Sequence, residues 1–405
     1  MKERKLLYAI LLALCFSFSG TIEAQDKPQD KEVGYEFTIE KQIPVTSVKN
    51  QYRSGTCWSF SGLALLEAEM IRLGKDSLDL SEMFIVRNTY SDKAEKYVRM
   101  HGTINFGGGG AANDVPDMIR KYGIVPESVY SGMVIGEENH IHGEMDQILQ
   151  TYVDNVIKNK NKKLTPVWHK GFNGLLNTYL GDYPESFDYN GKTYTPKSFA
   201  KDVVGLNMDD YVLLTSYTHH PFYKPFIIEV PDNWSWGQTY NLPLNELMDV
   251  FDFAINNDFC ITWATDVGEK GFSWKNGIAI VPEQNIEDMT DLERAKWDNL
   301  SKSEQEKLLY KFDKPSKEKE ITQALRQKGF DNYETTDDHG VLICGIARDQ
   351  KGTKYYLAKN SWGTEGDTPY KGYFYASENY VKYKTMSIML HKDAIPKNLR
   401  KKLGI

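Results

Sequence analysis

The run Gln51-Tyr-Arg-Ser-Gly-Thr-Cys57-Trp-Ser-Phe60 carries the strongest structural signal in this sequence. Apolar residues follow it at helical spacing, and Gly74 then stands where a left-handed residue would end a helix. The apolar positions are Leu63, Leu66, Met70 and Leu73. Cys57 is therefore predicted to start a helix, where unpaired N–H groups and the helix dipole favour the reactive thiolate. A small buried cysteine is the alternative interpretation, because cysteine is among the most buried residue types.

The composition is that of an ordinary globular protein. The 405 residues are 40% apolar and 13% aromatic, and they show no internal repeat. This length suits two or three typical domains, or one enzyme domain with a large insertion. The net charge of -7 gives no electrostatic reason to bind nucleic acid. No nucleic-acid partner, metal or cofactor is predicted.

The N-terminus has the three parts of a secretory signal peptide. Residues 2–5 are basic, residues 6–18 are apolar, and Ala24 is the small residue that a signal peptidase needs. We therefore assign residues 1–24 as the signal and expect the mature chain to start at Gln25, exported to the periplasm or beyond. The apolar run is short for a membrane span, so stable membrane insertion is not expected, although an uncleaved anchor is the alternative.

The cysteine count supports a functional thiol. Cleavage would remove Cys15 and leave Cys57, Cys260 and Cys344, an odd number in a compartment where disulfides form. Cys260 and Cys344 lie in apolar, strand-like runs and are predicted to be packing residues. A lipoprotein with lipidated Cys15 is less favoured, because Leu14 stands where such signals carry a small residue.

Among eight histidines, His339 alone adjoins a predicted strand at a structural junction. Residues 340–347 and 353–359 are strand-like, and residues 348–352 form the turn of a hairpin. Residues paired across an antiparallel hairpin lie at equal distances from its turn. By this rule His339 pairs with Asn360, allowing for a bulge. The amide oxygen would then fix the imidazole tautomer and complete a Cys-His-Asn triad, with Trp362 shielding the hydrogen bond from water. An ordinary hairpin with a surface histidine is the alternative.

A thiolate that attacks a carbonyl also needs donors for the oxyanion. The side-chain amide of Gln51 and the backbone N–H of Cys57 would supply two, each contributing about 3 kcal/mol in the transition state. Gly55 would allow the loop between them to turn.

Three blocks together resemble the papain-like cysteine peptidases: Gln51 with Cys57-Trp-Ser-Phe60, then Asp338-His339-Gly340, then Lys359-Asn-Ser-Trp-Gly363. The resemblance implies an α+β fold with a helical lobe and an antiparallel β lobe. His339 follows Cys57 by 282 residues, whereas papain and the cathepsins have about 130 to 150. This layout is similar to bleomycin hydrolase and bacterial aminopeptidase C, and it implies a large, mainly helical insertion.

The domain boundaries follow from this layout. Residues 25–140 are expected to hold the helical lobe, residues 141–330 the insertion and part of the β lobe, and residues 331–405 the catalytic hairpin and the tail. By the same resemblance, Gly109 and Gly110 are candidate contacts for bound substrate, with a flexible loop as the alternative. Asn113 and Asp114 are expected to cap the following helix.

The resemblance implies a peptidase that acts on peptides through a thioacyl-enzyme. The relatives are hexameric aminopeptidases whose C-terminal arm occupies the cleft. Residues 396–405 look too short for such an arm, so an endopeptidase is the alternative. About fifteen residues between Gln25 and the core leave no room for a long inhibitory pro-region. A non-catalytic scaffold and an acyl transferase are less favoured, and hexamer formation is expected from the resemblance alone.

Overall fold

A computed structural model describes residues 34–284, 289–366 and 368–405 of the chain. The predicted signal peptide, residues 1–24, lies outside these residues. None of the described helices combines the length and apolar character needed to cross a membrane.

The described residues form twelve α-helices and thirteen strands. The helices are α1 Cys57–Arg72, α2 Glu82–Arg99, α3 Asp114–Tyr122, α4 Gly143–Ile157, α5 Val167–Leu180, α6 Pro196–Phe199, α7 Leu244–Asn256, α8 Asp291–Asp298, α9 Lys302–Leu309, α10 Gln323–Asp331, α11 Glu378–Lys384 and α12 Lys397–Leu403. The strands are β1 Phe37–Gln42, β2 Phe187–Tyr189, β3 Lys192–Tyr194, β4 Tyr211–Thr215, β5 Pro225–Ile227, β6 Gln238–Asn241, β7 Ile261–Thr265, β8 Phe272–Ser273, β9 Ile278–Ala279, β10 His339–Asp349, β11 Lys354–Lys359, β12 Tyr373–Ser377 and β13 Thr385–His391.

Helix α1 begins at Cys57, as predicted, and is the central element of the helical lobe. Every residue from Trp58 to Met70 is buried, because α2 and α3 cover one side and strands β7 and β10 the other. Gly62 permits this packing, since a Cβ there would come within 2.6 Å of Val115. Gly74 follows the helix with a φ of 73°, a left-handed conformation that costs glycine little.

One mostly antiparallel sheet forms the second lobe. Its strand order in the described residues is β5-β6-β4-β13-β7-β10-β11-β12-β9-β8, and β1 pairs with β10. Residues 141–330 contain α4 to α10, and they also contribute β4 and β7 to the centre of this sheet. The fold is therefore α+β with a helical lobe, an antiparallel β lobe and a long insertion, as the sequence predicted.

The hairpin of β10 and β11 differs in register from the prediction. Leu342 lies opposite Lys359, and a bulge occurs between Ile343 and Gly345. His339 extends beyond the β11 ladder and pairs with Thr265 of β7. Continued by one step, this register would place Val341 opposite Asn360, so the prediction that His339 and Asn360 are backbone partners is wrong by two residues. Their side chains still meet, because both stand at the open end of the hairpin.

Candidate active site

Cys57 and His339 line one pocket between the two lobes. The first turn of α1 lies directly against the start of β10, next to Gly340. A Cβ on Gly340 would come within 2.9 Å of Ser61 Oγ and 3.5 Å of the Cys57 carbonyl. Glycine after the histidine therefore allows the strand that carries the base to approach the helix that carries the thiol.

His339 is buried and hydrogen-bonded to Asn360, with 2.7 Å between Nε2 and Oδ1. The same Oδ1 accepts from the backbone N–H of Ser361 at 2.8 Å. An amide nitrogen in that place would face the Ser361 donor, so the oxygen must be there. Nε2 of neutral His339 therefore carries the proton, and Nδ1 is left as the basic nitrogen.

Trp362 packs on the imidazole, with 4.7 Å between the ring centroids. Its own position is set by Trp274 and Phe272, whose rings meet it edge-on at 5.2 and 6.0 Å. This aromatic group lies over the histidine, and burial lowers the pKa of His339 to about 4 despite the hydrogen bond that His339 donates to Asn360, which raises it. The imidazole is thus neutral, and so a base, at physiological pH.

Gln51 is hydrogen-bonded to Ser361, the residue that follows Asn360. Its backbone N–H donates to the Ser361 carbonyl at 2.8 Å, and its side-chain Oε1 accepts from Ser361 Oγ at 2.6 Å. With Oε1 committed, Nε2 is the free end of the side chain, and it has no partner in the described residues. Gly55 has a φ of 66°, in accord with the predicted turn between Gln51 and Cys57.

The electrostatics of the thiol differ from the simple expectation for a helix start. Burial raises the pKa of Cys57 to about 12, and it outweighs the backbone N–H groups of Gly340 and Trp58 that lower it. The carboxylates of Asp337 and Asp232 raise it further. Burial therefore favours the neutral forms of both Cys57 and His339, whereas the position of Cys57 at the helix start favours its thiolate.

The glycine run lies at the rim of the pocket. Gly110 lines it, and a Cβ there would come within 2.8 Å of Trp58 and Asp114. Gly109 is not among the lining residues, and its carbonyl accepts from the buried Lys93 ammonium, which also bonds the Gly107 carbonyl at 3.0 Å. The loop is therefore held in place by a buried cation.

The expected capping by Asn113 and Asp114 is wrong. Asn113 makes no capping hydrogen bond to α3; its Nδ2 instead bonds Ser235 Oγ at 2.9 Å. Asp114 Oδ2 accepts from Trp234 Nε1 at 2.7 Å and from the Ala111 backbone at 3.0 Å. Both side chains are used for tertiary contacts with the segment after β5, which has no recognisable pattern in the sequence.

The two other described cysteines are buried and free, as expected for packing residues. Cys57 alone among the described cysteines is partly exposed. Reagents in solution should therefore reach Cys57 first.

His219, His220 and Glu229 stand close enough together to hold a metal ion. Glu229 already contacts both rings, at 3.0 and 2.8 Å. Gln327 accepts from the Thr218 N–H through Oε1 and so donates through Nε2 to Nδ1 of His219. Nδ1 of His219 therefore accepts this hydrogen bond, and the proton of the neutral ring is on Nε2. A metal ion shared with His220 and Glu229 would have to bind Nε2 without that proton, so we assign no metal here.

Two acidic residues of the pocket, Asp232 and Asp337, were not among the predicted site residues. Asp337 lies two residues before His339, so its neighbourhood could have been inferred from sequence. Asp232 belongs to the segment after β5 and carries no comparable signal.

Comparison with known proteins agrees with this architecture. Residues 85–404 match the model of the Peptidase C1-like family, a range that includes His339 and Asn360. Aminopeptidase G of Lactobacillus delbrueckii subsp. lactis is 20% identical over 97% of this chain and 92% of its own length. Aminopeptidase C of Streptococcus thermophilus is 22% identical over 90% of this chain and 84% of its own. The crystal structure of PepW from Lactobacillus rhamnosis HN001 shares the fold, with a TM-score of 0.67, 18% identity, and coverage of 91% and 84%.

Proposed function

The chain belongs to the Peptidase C1-like family and is a cysteine peptidase, and we propose that Cys57, His339, Asn360 and Gln51 carry out its reaction on peptides. The observation that carries this assignment is the 2.7 Å hydrogen bond from His339 to Asn360, with the Ser361 N–H on the same oxygen. It leaves a basic nitrogen on His339, in the same pocket as the one partly exposed thiol of the described residues.

In the first half of the reaction, Cys57 Sγ gives its proton to His339 Nδ1 and attacks the peptide carbonyl carbon. The carbonyl oxygen gains the negative charge and is stabilised by the Gln51 amide and the Cys57 N–H. Collapse of this intermediate breaks the C–N bond, and His339 returns the proton to the leaving amine. A thioester between Cys57 and the acyl half of the substrate remains.

In the second half, His339 takes a proton from water, and the hydroxide attacks the thioester carbon. The C–S bond then breaks, and the proton on His339 returns to Cys57 Sγ. Because the proton moves between the thiol and the imidazole as one event, the pocket never has to hold a net new charge. This suits a site whose burial disfavours either ion on its own.

Alkylation tests the nucleophile directly. We expect iodoacetamide to modify the folded protein with one equivalent, at Cys57, and Cys57→Ala to abolish both the labelling and the peptidase activity. Cys344→Ala is the matched control, because it removes a buried thiol and should change neither. An unreactive Cys57 in the folded protein would favour a non-catalytic scaffold. Product analysis with an added amine distinguishes hydrolysis from acyl transfer.

We propose that the bond cleaved is the first peptide bond of a substrate with a free N-terminus. The relatives named above are aminopeptidases, which supports this restriction. Helix α12 lies away from the pocket and does not act as an arm that fills it. Lys402 of this helix contacts Tyr223 and pairs with Glu246, and no residue of 396–405 lines the pocket. An endopeptidase is the second candidate, and a pair of substrates that differ only in N-acetylation separates the two.

We also propose that the chain is exported and that it assembles into a homo-oligomer. N-terminal sequencing of protein from the producing cell should begin at Gln25 if residues 1–24 are a cleaved signal. Light scattering of the purified protein tests whether it forms the hexamer that the family resemblance implies.

A further inference from the structure

The pocket beside the thiol has only acidic charges among its lining residues. Asp232, Asp337 and Asp338 contribute carboxylates, and no lysine or arginine lines the pocket. Asp338 has a structural role, since its carboxylate accepts hydrogen bonds from the backbone N–H groups of Val267 and Gly268 at 2.8 and 2.9 Å. The other two carboxylates remain to be explained.

Asp337 has no hydrogen-bond or ion-pair partner in the described residues. Asp232 accepts from Asn105 Nδ2 at 2.7 Å and gains some stabilisation from the Lys93 charge, although that ammonium is bonded to the glycine loop. Carboxylates kept partly out of water without a cation are costly to ionise. Two such carboxylates in the pocket of a nucleophile therefore indicate a cationic ligand that arrives with the substrate.

Two further oxygens of the pocket lining have no hydrogen-bond partner within the described part of the chain. Asn113 Oδ1 and Thr239 Oγ1 are buried and unpaired, on residues that are 6% and 0% exposed. Both can accept hydrogen bonds, and leaving a buried acceptor unpaired is unfavourable. A primary ammonium has three N–H donors, so it matches a set made of carboxylates and neutral oxygens.

The acids line the same pocket as the reacting sulfur. The charges of Asp337 and Asp232 both act on the Cys57 thiol, and Asp337 is two residues from His339 in the chain. The α-nitrogen of a substrate is separated from the scissile carbonyl carbon by a single atom. A free N-terminus in this pocket would thus reach the acids while its first carbonyl group meets the thiol.

The segment 228–237 brings Asp232 across from the β lobe and fastens it to the helical lobe. Trp234 bonds Asp114, Ser235 bonds Asn113, and the Trp236 ring lies 3.5 Å from the Lys96 ammonium. Asp232 itself occupies the place that a Cβ on Gly109 would need. The segment thus lies against the glycine loop and lines the same pocket as Cys57.

We propose that Asp337 and Asp232 bind the free α-ammonium group of the substrate and, with the segment 228–237, make this chain an aminopeptidase. The inference rests on the proposed cysteine peptidase function and names its substrate class. Binding would also aid the chemistry: the substrate ammonium offsets the charge of Asp232 and stabilises the ionised form of Asp337, so the acids add no net negative charge beside the Cys57 thiolate.

The test compares kcat/KM for leucyl, N-acetyl-leucyl and N-acetyl-arginyl coumarylamides in the full-length protein and in single variants. We expect the free amine to be the preferred substrate, and Asp337→Asn to lower its kcat/KM by about 10- to 100-fold, the usual range for a charged hydrogen bond. Asp232→Asn should act in the same direction, and neither should lower kcat/KM for the acetylated substrate. Asp338→Asn is the matched control, because a loss of loop structure should slow both leucyl substrates equally.

Three results would overturn the proposal while leaving the peptidase assignment intact. The first is equal cleavage of the leucyl pair by the unaltered protein. The second is an equal loss for both leucyl substrates in Asp337→Asn and Asp232→Asn. The third is preferred cleavage of the N-acetyl-arginyl substrate that depends on Asp337, since the acids would then bind a basic side chain. No cleavage of any substrate, together with an unreactive Cys57, would reject the proposed function itself. Stoichiometric alkylation of Cys57 in each variant verifies its fold.

Discussion

Asn360 Oδ1 receives two donors, the His339 imidazole at 2.7 Å and the Ser361 backbone N–H at 2.8 Å. The second donor makes the first possible, because it prevents the amide from turning its nitrogen toward the ring. The tautomer of the base is thus set by a backbone group one residue further along the chain. The orientation of the histidine depends on the local conformation at 360–361 as much as on the asparagine side chain.

Asn360→Ala should lower kcat by about 10- to 100-fold, at or below the lower end of the range of about 10² to 10⁴ for acid–base catalysis, because His339 remains but loses its fixed tautomer. KM should change little, since Asn360 does not line the pocket. Steady-state kinetics on the leucyl substrate measures both constants. A loss as complete as that of Cys57→Ala would mean that Asn360 does more than orient the ring.

Gln51→Ala should lower kcat by about 10²- to 10³-fold through loss of one oxyanion donor. Ser361→Ala is the informative companion, because it removes only the hydroxyl that holds Gln51 Oε1 at 2.6 Å. We expect a smaller loss in that variant, with Cys57 alkylation unchanged in both. If kcat is unaffected in Gln51→Ala, the oxyanion must be stabilised by other donors.

Gly340→Ala should reduce both kcat and the melting temperature, because its Cβ would stand 2.9 Å from Ser61 Oγ and push β10 away from α1. Overpacking of this kind typically costs about 1 to 3 kcal/mol. The double variant Gly340→Ala with Ser61→Ala removes the atom in conflict and should recover part of both losses. An absence of recovery would place the strain elsewhere.

Asp337→Asn should stabilise the fold increasingly as the pH rises from about 4 to about 8. Burial, with Asp232 and Asp338 nearby, raises the pKa of Asp337 to about 8 in the folded protein, against 3.8 for the free side chain. Between these values the unfolded chain has released a proton that the folded chain retains, so the wild type loses stability with rising pH. The asparagine cannot ionise and escapes this loss.

Thermal melts of the two proteins across this pH range measure the effect as a difference. Cys57, His339, Asp232 and Asp338 are present in both, so most of their own titration cancels. The difference in melting temperature should grow toward pH 8 and then level off. A difference that does not vary with pH would show that Asp337 is ionised throughout and is stabilised by a group other than a substrate.

Much of the site could be predicted because its parts lie in short, local patterns. The helix after Cys57 follows from apolar spacing, and the meeting of His339 with Asn360 follows from the symmetry of a hairpin. The exact register did not follow, since the bulge near Gly345 reflects contact with a distant strand. A Cβ on Gly345 would come within 2.6 Å of the Lys41 carbonyl in β1, and the strand prediction did not include that pairing.

The acidic end of the cleft could not be predicted, for a different reason. Asp232 comes from a segment with no helical or strand period, and its position depends on the contact between Trp234 and Asp114. That contact also explains why Asp114 does not cap its helix. The missing partner of Asp337 is likewise a tertiary property, since a carboxylate in sequence gives no sign of whether a cation will reach it.

The pairing of β1 with β10 has a consequence for the order of events during synthesis. The N-terminal thiol and its helix leave the ribosome 282 residues before the imidazole, and β1 has no sheet partner until β10 is made. Contacts this distant in sequence form late and slowly. The growing chain therefore carries the thiol before it carries the histidine. Peptidase activity can begin only when the last fifth of the protein has been translated and has folded against the N-terminal part that contains Cys57.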